Sequence, residues 1–94
     1  MIYRAVLVCD GVPKAAGPEA AIDTAKEFGD HRKWHANVTC VWDGSRLTLT
    51  AENDYDPKGL ALLDEFSDCL SAYIVDGFDG DLKVKSIDEV SDHV

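Results

Sequence analysis

The chain of 94 residues contains no uninterrupted apolar run of the roughly 18 residues needed to span a bilayer. A membrane-spanning helix is therefore excluded as an expectation. The apolar opening at residues 1–10 has neither a basic leader nor a small-residue cleavage site, and it reads as a strand rather than a signal peptide. There are three cysteines, Cys9, Cys40 and Cys69. An odd count at wide spacing fits neither a disulfide framework nor a Cys-x-x-Cys metal site, so buried free thiols in a cytoplasmic protein are expected. There are no repeats, no low-complexity tract, no phosphate-binding G-x4-G-K loop and no G-x-S-x-G nucleophile elbow. Nothing in the sequence calls for a cofactor.

Basic residues are scarce, and they are unevenly placed. Nine Lys and Arg face 18 Asp and Glu, for a formal charge of −9. Residues 1–50 hold six acids and six bases, whereas residues 51–94 hold twelve acids and three bases, so the second half carries the whole excess. Such a chain is repelled by nucleic-acid phosphates and attracted to a basic protein.

Hydrophobic content of 46% is that of a globular chain, and the length suits one domain. Residues 2–9 are apolar and β-branched, as in a buried central strand. Residues 10–17 form a loop, and Pro18 opens a helix in which Ala21, Ile22, Ala25 and Phe28 recur at helical spacing, with Gly29 as its cap. Residues 36–42 and 45–52 alternate about Asp43-Gly44, which predicts a hairpin with Trp42 opposite Ser45, Val41 opposite Arg46 and Cys40 opposite Leu47. Val38, Cys40, Leu47, Leu49 and Ala51 form its buried face. Asp56-Pro57 begins a second helix, whose apolar stripe includes Leu63, Phe66, Leu70 and Tyr73. Asp76-Gly77 ends that helix, residues 82–85 make a last strand, and the tail after Ile87 is expected to fray. The order β-α-β-β-α-β predicts an α+β, ferredoxin-like fold: a four-stranded antiparallel sheet with both helices on one face.

Three groups of residues are candidates for function. The leading one is an acidic surface made by Asp54, Asp56, Asp64, Glu65, Asp68, Asp76, Asp79 and Asp81, which suggests a non-enzymatic adaptor, inhibitor or immunity-type module for a basic partner. The second is the open sheet face, where Arg4, Thr39, Val41, Arg46, Thr48, Lys83 and Lys85 gather bases with Glu52 alone as an acid at the margin. It suits docking of an acidic partner or a homodimer. It lacks the aromatics that stack single-stranded bases. The third is a pocket near Trp34, His35, Asn37 and Trp42, which would serve a small-molecule enzyme or sensor that dimerises through the sheet.

Two metal patterns are set aside. Asp54, Asp56, Gly59 and Glu65 meet the calcium-loop spacing, but Lys58 and Pro57 oppose it and a capped helix start explains the same residues. His31 and His35 would share a helix face only if the first helix continued past Gly29. The favoured reading is an exposed connection with Trp34 tucked against the core.

Overall fold

A computed structural model of the chain describes residues 1–74 and 80–90. The strands are β1 (Ile2–Asp10), β2 (Ala36–Trp42), β3 (Leu47–Asn53) and β4 (Asp81–Val90); the helices are α1 (Gly17–His31) and α2 (Leu60–Tyr73). The sheet is antiparallel in the order β2-β3-β1-β4, which is the ferredoxin-like arrangement. The apolar run of β1 goes to the interior of the sheet, where it pairs with β3 on one side and β4 on the other. Alternation then decides the layers. Ala5, Leu7 and Cys9 lie opposite Ala51, Leu49 and Leu47 and join Phe28, Phe66 and Leu70 from the helices in one core.

Four local expectations are corrected. The hairpin turns on Gly44-Ser45, not Asp43-Gly44, and its pairs are Trp42–Leu47, Val41–Thr48 and Cys40–Leu49. Gly44 supplies the positive φ of +99° at the first turn position, and Asp43 Oδ1 accepts the N–H groups of Ser45 and Arg46, each at 2.9 Å. The two-residue shift in pairing leaves Thr39 to Trp42 and Leu47 to Ala51 on their expected faces, because the strand period is two. In α1, Gly29 lies inside the helix, which runs to His31 and closes when the Arg32 N–H donates to the Phe28 carbonyl. Helix α2 starts at Leu60 rather than at Asp56, with Gly59 at its N-cap position, although the Asp56 carboxylate still accepts N–H groups of its first turn. Asp76 and Gly77, expected to end α2, lie outside the described residues.

The fourth correction concerns β4. It is ten residues long and pairs with β1 as far as Val90, so residues 88–90 are strand rather than frayed tail. A bulge lets it do so. Val6 pairs with Ser86 and Leu7 with Val84, which leaves Lys85 as the extra residue. Beyond the bulge the parity reverses. Ile87 turns to the core side, and Ser86 and Asp88 turn to the open face.

The start of α1 is fitted to Trp42. A Cβ on Gly17 would lie 2.3 Å from two atoms of the Trp42 ring. Gly17→Ala is therefore expected to cost about 1–3 kcal/mol in urea denaturation. Trp42→Leu in the same chain should recover part of that loss, and strictly additive effects would show the contact to be irrelevant.

Candidate functional site

One end of the sheet gathers the start of β1, the end of α1, the start of β2, the end of β3 and the start of α2. Here the structure builds a polar network around His35. The His35 side chain is 0% exposed and is flanked by the rings of Phe28, Trp34 and Tyr55. Asn53 Oδ1 accepts the backbone N–H groups of Tyr55 (3.2 Å) and Asp56 (3.0 Å). Its Nδ2 is thereby turned to donate to His35 Nδ1 at 3.2 Å. With Nδ1 accepting, the ring proton sits on Nε2 and is donated to Glu65, whose two oxygens are each 3.2 Å away. Glu65 also accepts from the Tyr55 hydroxyl (3.4 Å) and from Arg32 (3.3 Å).

The neighbouring Asp56 is equally committed. Its carboxylate accepts the Leu62 N–H at 3.0 Å and the Ala61 N–H at 3.4 Å, which satisfies two orphan donors at the start of α2. Two of the three carboxylates of the calcium-like spacing, Asp56 and Glu65, are thus consumed by protein donors. His31 is exposed at the end of α1 while His35 is buried beyond it, so the two do not face a common metal. Among the described residues no group of three or more His, Cys, Asp or Glu could hold a metal ion.

Beside the network lies a cavity of about 240 Å³ lined by Ile2, Trp34, Ala36, Glu52, Asn53 and Asp54. Trp34 does not tuck into the core. It is 53% exposed, because the buried place next to Phe28 is filled by His35. Asn37, at a left-handed φ of 53° in a β2 bulge, donates to Glu52 Oε1 at 2.9 Å. Arg4 holds Glu52 Oε2 from Nε and a terminal nitrogen, both at 2.9 Å. The Asn37 bond, followed by Arg4, holds the Glu52 carboxyl below the usual carboxylate range. The sequence-expected pocket is therefore divided. Trp34, His35 and Asn37 meet at this end, while Trp42 packs on Gly17 at the far end of β2.

The open face is not a basic patch. Arg4 and Arg46 do lie on it, with Thr39, Val41, Thr48 and Lys83. Arg4 is neutralised by Glu52, and Arg46 forms a two-pronged pair with Asp10 at 3.0 and 3.1 Å. Asp81 and Asp88 join the same face through pairing with β1, and Lys85 falls at the bulge. The expectation of a single marginal acid missed Asp10 at the strand end and the parity change in β4.

The acids of the helical layer are arranged differently. Helix α1 holds four acids against one lysine, and α2 holds three acids and no base, a formal −6 of the chain's −9. Glu19, Asp23, Asp30, Asp64 and Asp68 make no ion pair among the described residues, nor does Asp54 in the loop before α2. Glu19 and Asp23, and Asp64 and Asp68, are like charges four apart. Each such pair costs a helix about 0.2–0.5 kcal/mol. Asp76 and Asp79 lie outside the described residues.

The thiols are poorly suited to nucleophilic chemistry. Burial, reinforced for Cys9 by Asp10 and Asp81, pushes Cys9 up to about 12. Burial likewise pushes Cys40 up to about 12, so both stay protonated at neutral pH. No helix among the described residues is long and apolar enough to cross a membrane. No protein-family model, curated protein or solved structure matches the chain.

Two outcomes are expected. Long-range nitrogen–proton NMR should find neutral His35 as the Nε2–H tautomer, and the Nδ1–H form would contradict the Asn53 geometry. Because the folded Glu52 carboxyl titrates below its unfolded range, its stabilisation is complete at neutral pH and is lost as pH falls through the carboxylate range toward the folded value. The stability gap between the native chain and Glu52→Gln should accordingly shrink on acidification, and a constant gap would contradict the lowered value.

Proposed function

We propose that this protein is a non-enzymatic, cytoplasmic interaction module that binds a basic protein through the outer surface of its helical layer. The observation that carries this reading is the contrast between its two faces. On the sheet, Arg4 and Arg46 are matched by carboxylates within the fold. On the helices, Glu19, Asp23, Asp30, Asp64 and Asp68 have no ion-pair partner among the described residues, an arrangement that a basic counter-surface would relieve. Of the acids expected to contact a partner, Asp54, Asp64 and Asp68 are exposed and free for that role, and Asp81 is exposed at the sheet edge. Asp56 and Glu65 serve the fold instead. The buried, fully occupied ring of His35 and the protonated thiols favour binding over covalent catalysis.

A homodimer formed through the sheet is the second reading. The pairing of Arg4 with Glu52 and of Arg46 with Asp10 around Val6, Thr39, Val41 and Thr48 supports it, since matched charges are easier to cover than unmatched ones.

The expected test uses a polyarginine peptide as probe. Its affinity should fall steeply with salt, and by roughly tenfold on Asp64→Lys with Asp68→Lys, since exposed charges are screened over about 8 Å at physiological ionic strength. The double change Asp88→Lys with Glu89→Lys alters net charge equally but lies in β4, and it should have a smaller effect. Equal losses would reduce the reading to net charge alone. Salt-insensitive binding, with a concentration-dependent dimer in sedimentation, would favour the sheet face.

A further inference from the structure

The cavity at the His35 end has a composition that neither the helical acids nor the sheet face explains. We propose that it seats one guanidinium side chain, an arginine of the basic protein partner; this deepens the reading above and rests on it for the identity of the partner.

Size argues for a single side chain. A volume of 240 Å³ lies below the roughly 300–1,000 Å³ of sites for drug-sized ligands and cofactors. The wall argues for a planar cation. Trp34 is half-exposed at the cavity, and its ring rests against His35, itself fixed by Asn53 and Glu65. An indole held in this way loses little rotamer freedom when a guanidinium stacks on it. Charge argues for the sign. Glu52 and Asp54 line the cavity, and Arg4 offsets only one of them, so a net negative charge remains. Asp54 is exposed and carries no hydrogen bond or ion pair among the described residues, so its carboxylate is available to a forked donor. Ile2 and Ala36 complete the lining and suit the aliphatic stem of the same side chain.

Ile2, Ala36 and Glu52 reach the cavity from the open side of the sheet, and Asp54, in the loop that follows β3 and leads to α2, closes it, so an arginine seated there is a contact point separate from Asp64 and Asp68. An arginine anchored in a pocket and surrounded by looser charge contacts is a usual distribution of energy in a protein interface.

The test titrates the full chain with Nα-acetyl-arginine amide, the lysine analogue, and the neutral citrulline analogue, following the backbone amide resonances of Asn53 and Asp54, which remain in both variants below. Saturable binding in the order arginine, lysine, citrulline is expected. Trp34→Leu and Asp54→Asn should each weaken arginine binding by about fivefold to tenfold. Both positions are exposed, and an unchanged thermal midpoint would show that the fold is retained. Citrulline binding as well as arginine, or unchanged binding in both variants, overturns the assignment. The polyarginine probe separates the two claims. If helix charge reversal weakens it while Trp34→Leu and Asp54→Asn do not, the cavity assignment fails and the acidic module stands. If arginine amide binds at Trp34 but helix charge reversal leaves polyarginine binding unchanged, the cavity stands and the helical surface does not.

Discussion

The amide of Asn53 is the junction on which the functional end of the molecule depends. Its oxygen accepts two successive backbone N–H groups, which fixes the turn leaving β3 and sets Asp56 where it can cap α2. Its nitrogen then has one direction left, and that direction selects the His35 tautomer. The tautomer in turn makes Glu65 an acceptor, and Glu65 draws Tyr55 and Arg32 onto α2. Four chain segments far apart in sequence are thereby joined through hydrogen bonds that are worth most where water is excluded. The exposed ring of Trp34 is a consequence of this order. With His35 occupying the buried place beside Phe28, the preceding side chain must face outward.

The two faces of the molecule handle charge differently because strands and helices offer different neighbours. In the sheet, Arg4 lies directly opposite Glu52, a cross-strand geometry that brings side chains together without long excursions. Arg46 likewise reaches Asp10 at the end of the neighbouring strand. In the helices, the available neighbours are three and four residues away. Helix α2 has no base at all, so its acids find none at those positions. The surplus negative charge therefore collects on the helical layer even though the sequence shows it only as an excess after residue 50.

The element order and the layer architecture were legible in the sequence because they depend on periodicity, which is local. The alternation of residues 36–42 and 45–52 survived even an incorrect turn, since a shift of two residues preserves every face. What was hidden depended on non-local contacts. Gly29 has the composition of a helix stop, yet α1 runs through it to His31, and the next residue, Arg32, meets Glu27 and Glu65. The β4 bulge could not be read from Leu82-Lys83-Val84-Lys85 alone, because its partner is β1 and Ile87 is seated against Gly59, where a Cβ would approach its Cδ1 to 2.9 Å. The pairing of Trp34 with His35 was legible as adjacency. Which of the two would be buried was decided by Asn53 and Glu65, 18 and 30 residues away from His35.

The acids of this chain thus fall into two physical kinds, and formal charge does not distinguish them. Glu52, Asp56, Glu65 and Asp10 each accept at least two hydrogen bonds from protein donors, so their charge is spent inside the fold. Removing one would strand its donors, and any loss of binding would then report on damaged structure. Among the described residues, Asp54, Asp64 and Asp68 have no such partners, and their side chains are exposed. Only acids of this second kind can contribute to recognition without a matching structural cost, so the surface available to a partner is narrower than the −9 suggests.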